Sequence, residues 1–218
     1  MEKRIFNPST DSFPFHIPGV NQAVLTESSL FYFKNREFIT KEMTELNYLF
    51  IIIKGRAKVI ANQENGKRII LQFLKEADLI GDLSIIDIED ETKDVVSTGE
   101  TICLGIPLTV VNEALLQDNS FLLFLSQTIG KKLLARMNHF REQQTQEVKI
   151  RLAKLLMTIS SDNMYQEKHT EIAEYLGVSY RHYMHTFKYF KDLEILQKKG
   201  TAFQVNLEKL QLYLDSSE

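Results

Sequence analysis

The sequence predicts an α+β chain in three successive parts: an N-terminal β-barrel or jelly roll of short strands, one long helix with an apolar stripe, and a C-terminal winged helix-turn-helix. Three observations carry that fold class. Short aromatic and β-branched runs recur between residue 29 and about residue 107, separated by turn signals of which Asn65-Gly66 is the strongest. Near Asn119 the apolar residues begin to fall three or four apart, the spacing of a helix. Residues 168–191 (KHTEIAEYLGVSYRHYMHTFKYFK) then join a short apolar helix face, a Gly-Val-Ser turn and a second amphipathic helix.

In chain order, residues 1–28 hold Pro8, Pro14 and Pro18 and show little periodicity, so an irregular arm or short helical lead-in is expected, packing on the next domain. Residues 29–118 form the barrel. Its strands are expected at 30–33 (LFYF), 37–39 (EFI) and 48–53 (YLFIII), then at 56–61 beyond a Lys54-Gly55 turn. Residues 68–73 return from Asn65-Gly66; residues 80–83 (IGDL), an acidic loop, Val95-Val96 and 101–106 complete the set. Several short strands at regular spacing make a closed or two-sheet β structure.

Residues 119–144 read as one long helix, with Ser120 as cap and Asp118 favouring the N-terminal dipole. Phe121 and Leu122 open its apolar set, and Leu125, Ile129, Leu133, Met137 and Phe140 continue it. These last five are expected to pair with a second copy and make a homodimer. Packing of the stripe on the chain's own barrel is the competing use. Residues 145–218 form the third part. A helix near 146–160 carries Val148, Leu152, Leu155, Leu156 and Ile159 and should cover the helix-turn-helix; residues 195–205 make a wing turning at Lys199-Gly200, and 207–214 a closing helix.

Within the helix-turn-helix, Ile172, Ala173 and Leu176 form the apolar face of a helix starting near His169. Gly177 ends it, since positive φ costs glycine nothing. Val178 turns inward, Ser179 caps the next helix, and Tyr183, Phe187 and Phe190 make one buried stripe. Ala173 is small where the two helices cross closely. The opposite face carries Tyr180, Arg181, His182, His185, Lys188 and Lys191, with no acid before Asp192. Such a face suits the major groove of double-stranded DNA; a plain helical hairpin with a solvated face is the bland alternative. Base contacts are expected from Tyr180, Arg181 and His185, and phosphate contacts from His169, Ser179, His182, Lys188, Lys198 and Lys199.

Composition narrows the function classes. A net charge of −3 gives no global sign of nucleic-acid binding, yet residues 145–205 hold nine Lys/Arg against seven Asp/Glu, while 76–100 is strongly acidic. Cys103 is the only cysteine, which excludes disulfide frameworks, zinc knuckles and cysteine-ligated iron–sulfur clusters within one chain. Residues 29–118 contain no histidine, against a metal-dependent barrel enzyme; no catalytic residue and no metal ligand is expected. No run is long enough to span a membrane and residues 1–10 lack a signal-peptide core, so a cytoplasmic location is expected. The alternative class is a ligand-binding β-barrel sensor with a helical appendage.

The order of barrel, long apolar helix and winged helix-turn-helix resembles the Crp/Fnr family of bacterial transcription regulators. The likeness covers residues 30–205, and its local markers are 48–55 (YLFIIIKG), Asn65-Gly66-Lys67, 79–83 (LIGDL) and 172–179 (IAEYLGVS). Residues 165–182 (YQEKHTEIAEYLGVSYRH) are similar to the YeiL branch of that family. The resemblance implies a cyclic-nucleotide-binding-like jelly roll, dimerisation, DNA binding and, for an activator, RNA polymerase as a further partner. It also implies where an effector pocket belongs. Nucleotide binders of the family place a Gly-Glu-Leu turn and, about eleven residues on, an Arg-Ser-Ala whose Arg forks the phosphate. Here the positions hold Gly81-Asp82-Leu83 and Thr92-Lys93-Asp94, among Asp87, Glu89, Asp90 and Glu91. Gly81, Asp82, Leu83, Thr92 and Lys93 therefore read as a vestigial pocket, without cAMP and without a cofactor; the effector is not named by the sequence. The family's oxygen-sensing cysteines are absent, and His16 is the only histidine ahead of the long helix that could ligate haem. Cys103, in an apolar strand, reads as an inert small hydrophobe, with a redox role as the competing use.

Overall fold

The alternating runs build two open antiparallel sheets in the computed structural model, which describes residues 1–63, 66, 68–89, 92–160 and 163–216. In chain order come β1 (Glu2–Ile5), a short helix α1 (Gln22–Thr26), β2 (Ser29–Phe33), β3 (Phe38–Thr40), β4 (Tyr48–Lys54), β5 (Ala57–Asn62), β6 (Arg68–Leu74), β7 (Leu79–Ile80), β8 (Asp94–Ser97) and β9 (Thr101–Pro107). One sheet runs β1-β2-β9-β4-β7 and the other β3-β8-β5-β6. The sheets do not close into a single barrel; the jelly-roll form of the expectation is the one that holds. Asn65, Lys67, Asp90 and Glu91 lie outside the described residues, so the Asn65-Gly66 turn and half of the acidic loop are not placed.

The unbroken apolar run of β4 has a simple cause. Leu49 and Ile51 point into one core with Leu30, Leu104 and Ile106, while Phe50 and Ile52 point into a second with Phe31, Phe33, Val95 and Cys103. A strand buried on both faces has no polar side to show. The second core lies between the two sheets. The first lies on the outer face of the five-stranded sheet and is completed by Phe6, Ile17 and Val24 from the arm and by Val111, Leu115, Phe121 and Leu125 from the helical segment.

The arm differs from expectation in one respect. Its helical part is α1, capped by the Asn21 side chain accepting from Ala23 and Val24 N–H. Its first residues form β1, paired antiparallel with β2 from Glu2 opposite Tyr32 to Ile5 opposite Ser29. All four β1 residues are exposed, so no apolar alternation marks the strand in the sequence.

Beyond β9, α2 (Leu108–Val110) runs into a π turn at Val111–Leu115, and α3 (Asn119–Thr145) comes next. The cap of α3 is Asp118, whose Oδ1 accepts from Ser120 N at 2.7 Å and Phe121 N at 3.4 Å; Ser120, expected as the cap, is already inside the helix. A carboxylate satisfies two free N–H groups and meets the positive end of the dipole, which a hydroxyl does less well. Then come α4 (Val148–Ile159), β10 (Met164–Tyr165), α5 (His169–Tyr175), α6 (Tyr180–Asp192), β11 (Leu196–Lys199), β12 (Ala202–Val205) and α7 (Leu207–Asp215). The last three strands pair in the order β10-β12-β11. By contacts the chain divides into two units, Met1–Ala61 with Gln72–Ala135, and Asn62–Leu71 with Arg136–Glu218.

Candidate nucleic-acid interface and effector pocket

The turn between α5 and α6 is built from backbone geometry. Gly177 has φ +65°, its N–H donates to Glu174 O at 2.9 Å, and Val178 N donates to Ala173 O at 3.0 Å. This pair of bonds is a Schellman motif, which closes α5 and turns the chain toward the next helix. Ser179 Oγ then accepts from His182 N at 3.2 Å and starts α6. Ile172, Ala173, Leu176, Tyr183, Phe187 and Phe190 are all buried, and Val178 is half-buried. Thr186 joins that buried face, which apolar spacing could not reveal: its hydroxyl donates to His182 O at 3.1 Å and so needs no other partner.

Opposite this core the helix shows its cations. Tyr180, Arg181, His182, His185 and Lys188 are exposed, and Arg181, His185 and Lys188, spaced by four and three, form one line along α6. Two acids of this unit are engaged elsewhere, Glu171 with Lys168 at 3.3 Å and Glu194 with Lys209 at 2.9 Å. Lys198 and Lys199 are exposed on β11.

His169, expected at the phosphates, also has partners within the fold. Its Nδ1 lies 2.8 Å from Tyr183 Oη, which lies 2.9 Å from Tyr165 Oη, and its ring sits edge-on to Phe187 at 4.7 Å. The imidazole is thus half-buried against the core between α5, α6 and β10, with Nδ1 engaged by Tyr183 and part of the ring still open to solvent. Burial holds its pKa below the usual histidine value and pushes the hydroxyls of Tyr165 and Tyr183 upward. Tyr165 was not anticipated as core, because a two-residue strand carries no period.

The last turns of α3 grip the end of α5. His139 stacks on Tyr175 with centroids 4.3 Å apart, and Gln143 Nε2 donates to Tyr175 O at 2.8 Å. Arg151, buried on α4 beside the expected Val148, Leu152, Leu155, Leu156 and Ile159, donates from Nη1 to Leu176 O. Burial lowers the Arg151 pKa, against the pull of Glu142. A lone cation inside an apolar helical stripe was the available signal for it.

The five residues expected to form a vestigial pocket all have partners within the first unit. Gly81 has φ +93°, and a Cβ built there would lie 2.5 Å from Leu46 Cδ2, so Leu46 covers the turn closely. Asp82 is buried, and its Oδ2 accepts from Lys132 Nζ at 2.7 Å; the same ammonium donates to Leu79 O at 2.7 Å. Leu83 is half-buried beside them. Thr92 Oγ1 lies 2.8 Å from Lys41 O and 2.9 Å from Thr44 O, sharing its proton between them, and Lys93 pairs with Glu89. Asp78, close by, is held above the usual carboxylate pKa by burial, against the N–H of Lys75 and the charge of Lys132. Cys103 is wholly buried between the sheets, and its thiol is pushed upward by burial, which disfavours the reactive thiolate.

The long helix divides the expected seam. Leu125 is 3% exposed in the first unit's own core and is not free for a partner, while Ile129 is half-buried at the edge of that core. Leu133, Met137 and Phe140 are 58%, 58% and 64% exposed, and Leu123 and Leu134, each 60% exposed, lie on the same side as Gly130. Among the described residues no helix is long and apolar enough to cross a membrane, and no group of His, Cys, Asp and Glu is placed to hold a metal ion.

Comparison with known proteins agrees with this architecture. Residues 30–118 match the cyclic nucleotide-binding domain. The chain is 33% identical over 179 residues to the regulatory protein YeiL of Escherichia coli O157:H7, covering 81% of this chain and 82% of that one. In fold it is similar to FixK2 of Bradyrhizobium japonicum, with TM-score 0.64 and 16% identity over 85% of this chain and 96% of that one. A crp/fnr-family regulator from Eubacterium rectale gives TM-score 0.68 at 14% identity, over 90% and 95% of the two chains.

Proposed function

The chain belongs to the Crp/Fnr family of transcription regulators, in the branch of the YeiL regulator, and from that premise we propose that it reads an inverted-repeat DNA site as a homodimer without control by cAMP. The observation that carries the reading is the line of Arg181, His185 and Lys188, exposed on α6 directly opposite the Tyr183, Phe187 and Phe190 core. A helix so held can enter a major groove with its cations forward and its apolar face still packed. Arg181 takes a guanine O6/N7 edge, with Tyr180 and His185 beside it. His182, Lys188 and the wing residues Lys198 and Lys199 hold phosphates, and Ser179, already a cap, brings its turn to the backbone.

Residues 119–144 supply the dimer helix, 29–118 the effector-type domain and 145–218 the DNA-binding domain. The seam is the exposed face of Leu123, Gly130, Leu133, Leu134, Met137 and Phe140. Two recognition helices related by a dyad demand half-sites about 34 Å apart, one turn of DNA. cAMP is refused because no arginine stands at Thr92 and the acceptor at Asp82 is already engaged by Lys132. A cytoplasmic location goes with this function, with RNA polymerase as partner where the outcome is activation.

Selection from random-sequence DNA pools by gel shift should return a palindromic motif, and calorimetry with millimolar cAMP or cGMP should show no saturable binding. Retention of pools without any enriched motif would defeat the DNA reading; micromolar affinity for either nucleotide would defeat the cAMP clause alone.

A further inference from the structure

The Lys132–Asp82 contact is costly for what it would contribute as mere stability. Both side chains are largely withdrawn from water, at 15% and 11% exposure, and a buried ion pair is on balance no more stabilising than a well-packed apolar pair. What such a pair supplies is geometric. The ammonium is fixed by two acceptors on one short segment, Leu79 O and Asp82 Oδ2, each at 2.7 Å. Losing either contact by turning α3 would strand a charge in the core.

Lys132 lies on the same side of α3 as Phe121 and Leu125, which are buried in the first core. Helical geometry places Leu123, Gly130, Leu134 and Met137 on the opposite side. The contact therefore sets the azimuth of the helix as well as its distance from the sheet. The neighbouring groups add to this: Leu46 covers Gly81, and the Thr92 hydroxyl ties down the segment containing Lys41 and Thr44.

We propose that Lys132 is a built-in effector, its ammonium occupying the acceptors of the 79–82 turn and locking α3 in the azimuth that turns Leu123, Gly130, Leu134 and Met137 outward. That this outward face then meets a second copy rests on the homodimer reading above; the lock itself does not.

The test uses the full chain with Lys132→Ala, Lys132→Met and Asp82→Asn, each checked for fold by circular dichroism. Amide hydrogen exchange over residues 126–134 reads the lock whatever the oligomeric state, and sedimentation with a gel shift reads its consequence. Folded variants should exchange at least about tenfold faster in that segment, because the local opening that exposes it loses its opposing contact. Dimerisation and DNA affinity should fall together, and ethylammonium at roughly tens of millimolar, the range in which a weak amine site fills, should restore Lys132→Ala but not Asp82→Asn. Exchange and dimerisation unchanged in folded Lys132→Met overturn the proposal. Failure of all three variants to fold overturns it too, making the pair a requirement of folding. A monomeric wild type, by contrast, defeats the homodimer reading and leaves the exchange result to decide the lock.

Discussion

Tyr183→Phe removes a single oxygen from the centre of the second unit. The Tyr183 hydroxyl links Tyr165 Oη at 2.9 Å to His169 Nδ1 at 2.8 Å. Tyr165 is 1% exposed, so its hydroxyl has no water to turn to once its partner goes. A buried polar group left unpaired costs about 1–3 kcal/mol. His169 is only half-buried and can find solvent, so most of the loss falls on Tyr165, and a destabilisation of about 2 kcal/mol is expected. Tyr165→Phe should cost about half as much, since Tyr183 can still donate to His169. The double variant should fall short of the sum by about 1 kcal/mol, because the two hydroxyls lose one shared bond. Urea unfolding at neutral pH measures all three, followed by tyrosine fluorescence, for the chain has no tryptophan. A Tyr183→Phe protein as stable as wild type, or strictly additive variants, would refute the idea that this chain of hydroxyls is a closed network.

The same network sets a pH dependence. In neutral His169 the Nδ1 accepts from Tyr183, which accepts from Tyr165; the charged ring donates instead, reversing the chain and stranding the Tyr165 hydroxyl. Burial already lowers the His169 pKa in the fold, so stability should be full above the unfolded value of about 6.5 and fall as pH drops below it; a Tyr165→Phe protein should lose part of that slope in urea titrations at several pH values. Arg181→Ala should cost roughly 1–3 kcal/mol on the selected site and relax one base pair per half-site, whereas Lys188→Ala should weaken all sequences alike and reduce the salt slope; binding to specific and random DNA at graded salt separates them. Met137→Glu should leave a folded monomer, since that side chain is exposed within the chain, while Leu125→Glu should cost several kcal/mol of folding; sedimentation and thermal melts decide, and a dimeric Met137→Glu would move the seam elsewhere.

Where a segment buries one or two faces, its pattern was readable. Residues 48–53 show apolar side chains throughout because both cores claim them, and Tyr183, Phe187 and Phe190 mark one face of α6. The Gly177 and Ser179 signals were readable for the same reason that they work, since each solves a backbone problem few other residues solve. The seam was harder. Leu125, Ile129, Leu133 and Met137 advance by four, and each such step drifts about 40° around a helix of 3.6 residues per turn. The chosen stripe therefore wound from the inward face to the outward one. With Leu122, Leu123, Phe124 and Leu125 in succession, composition could not say which side was which. The inward placement of Lys132 and His169 was illegible, because it depends on partners at Leu79, Asp82 and Tyr183 that are distant in the chain.

The least buried strand has a consequence for the solubility of the chain. Without β1, the open edge of the five-stranded sheet would be β2, whose Leu30, Phe31 and Phe33 belong to the two cores and whose backbone would offer unpaired donors and acceptors to any neighbouring chain. β1 covers that edge with Glu2, Lys3 and Arg4, and Arg4 is held in place by a two-pronged contact with Asp11 at 2.6 and 2.7 Å. Charged residues on an outermost strand are a common guard against edge-to-edge aggregation. Trimming the first five residues would leave both cores nearly intact yet should make the chain more prone to precipitate, a hazard that a stability measurement on dilute samples would not reveal.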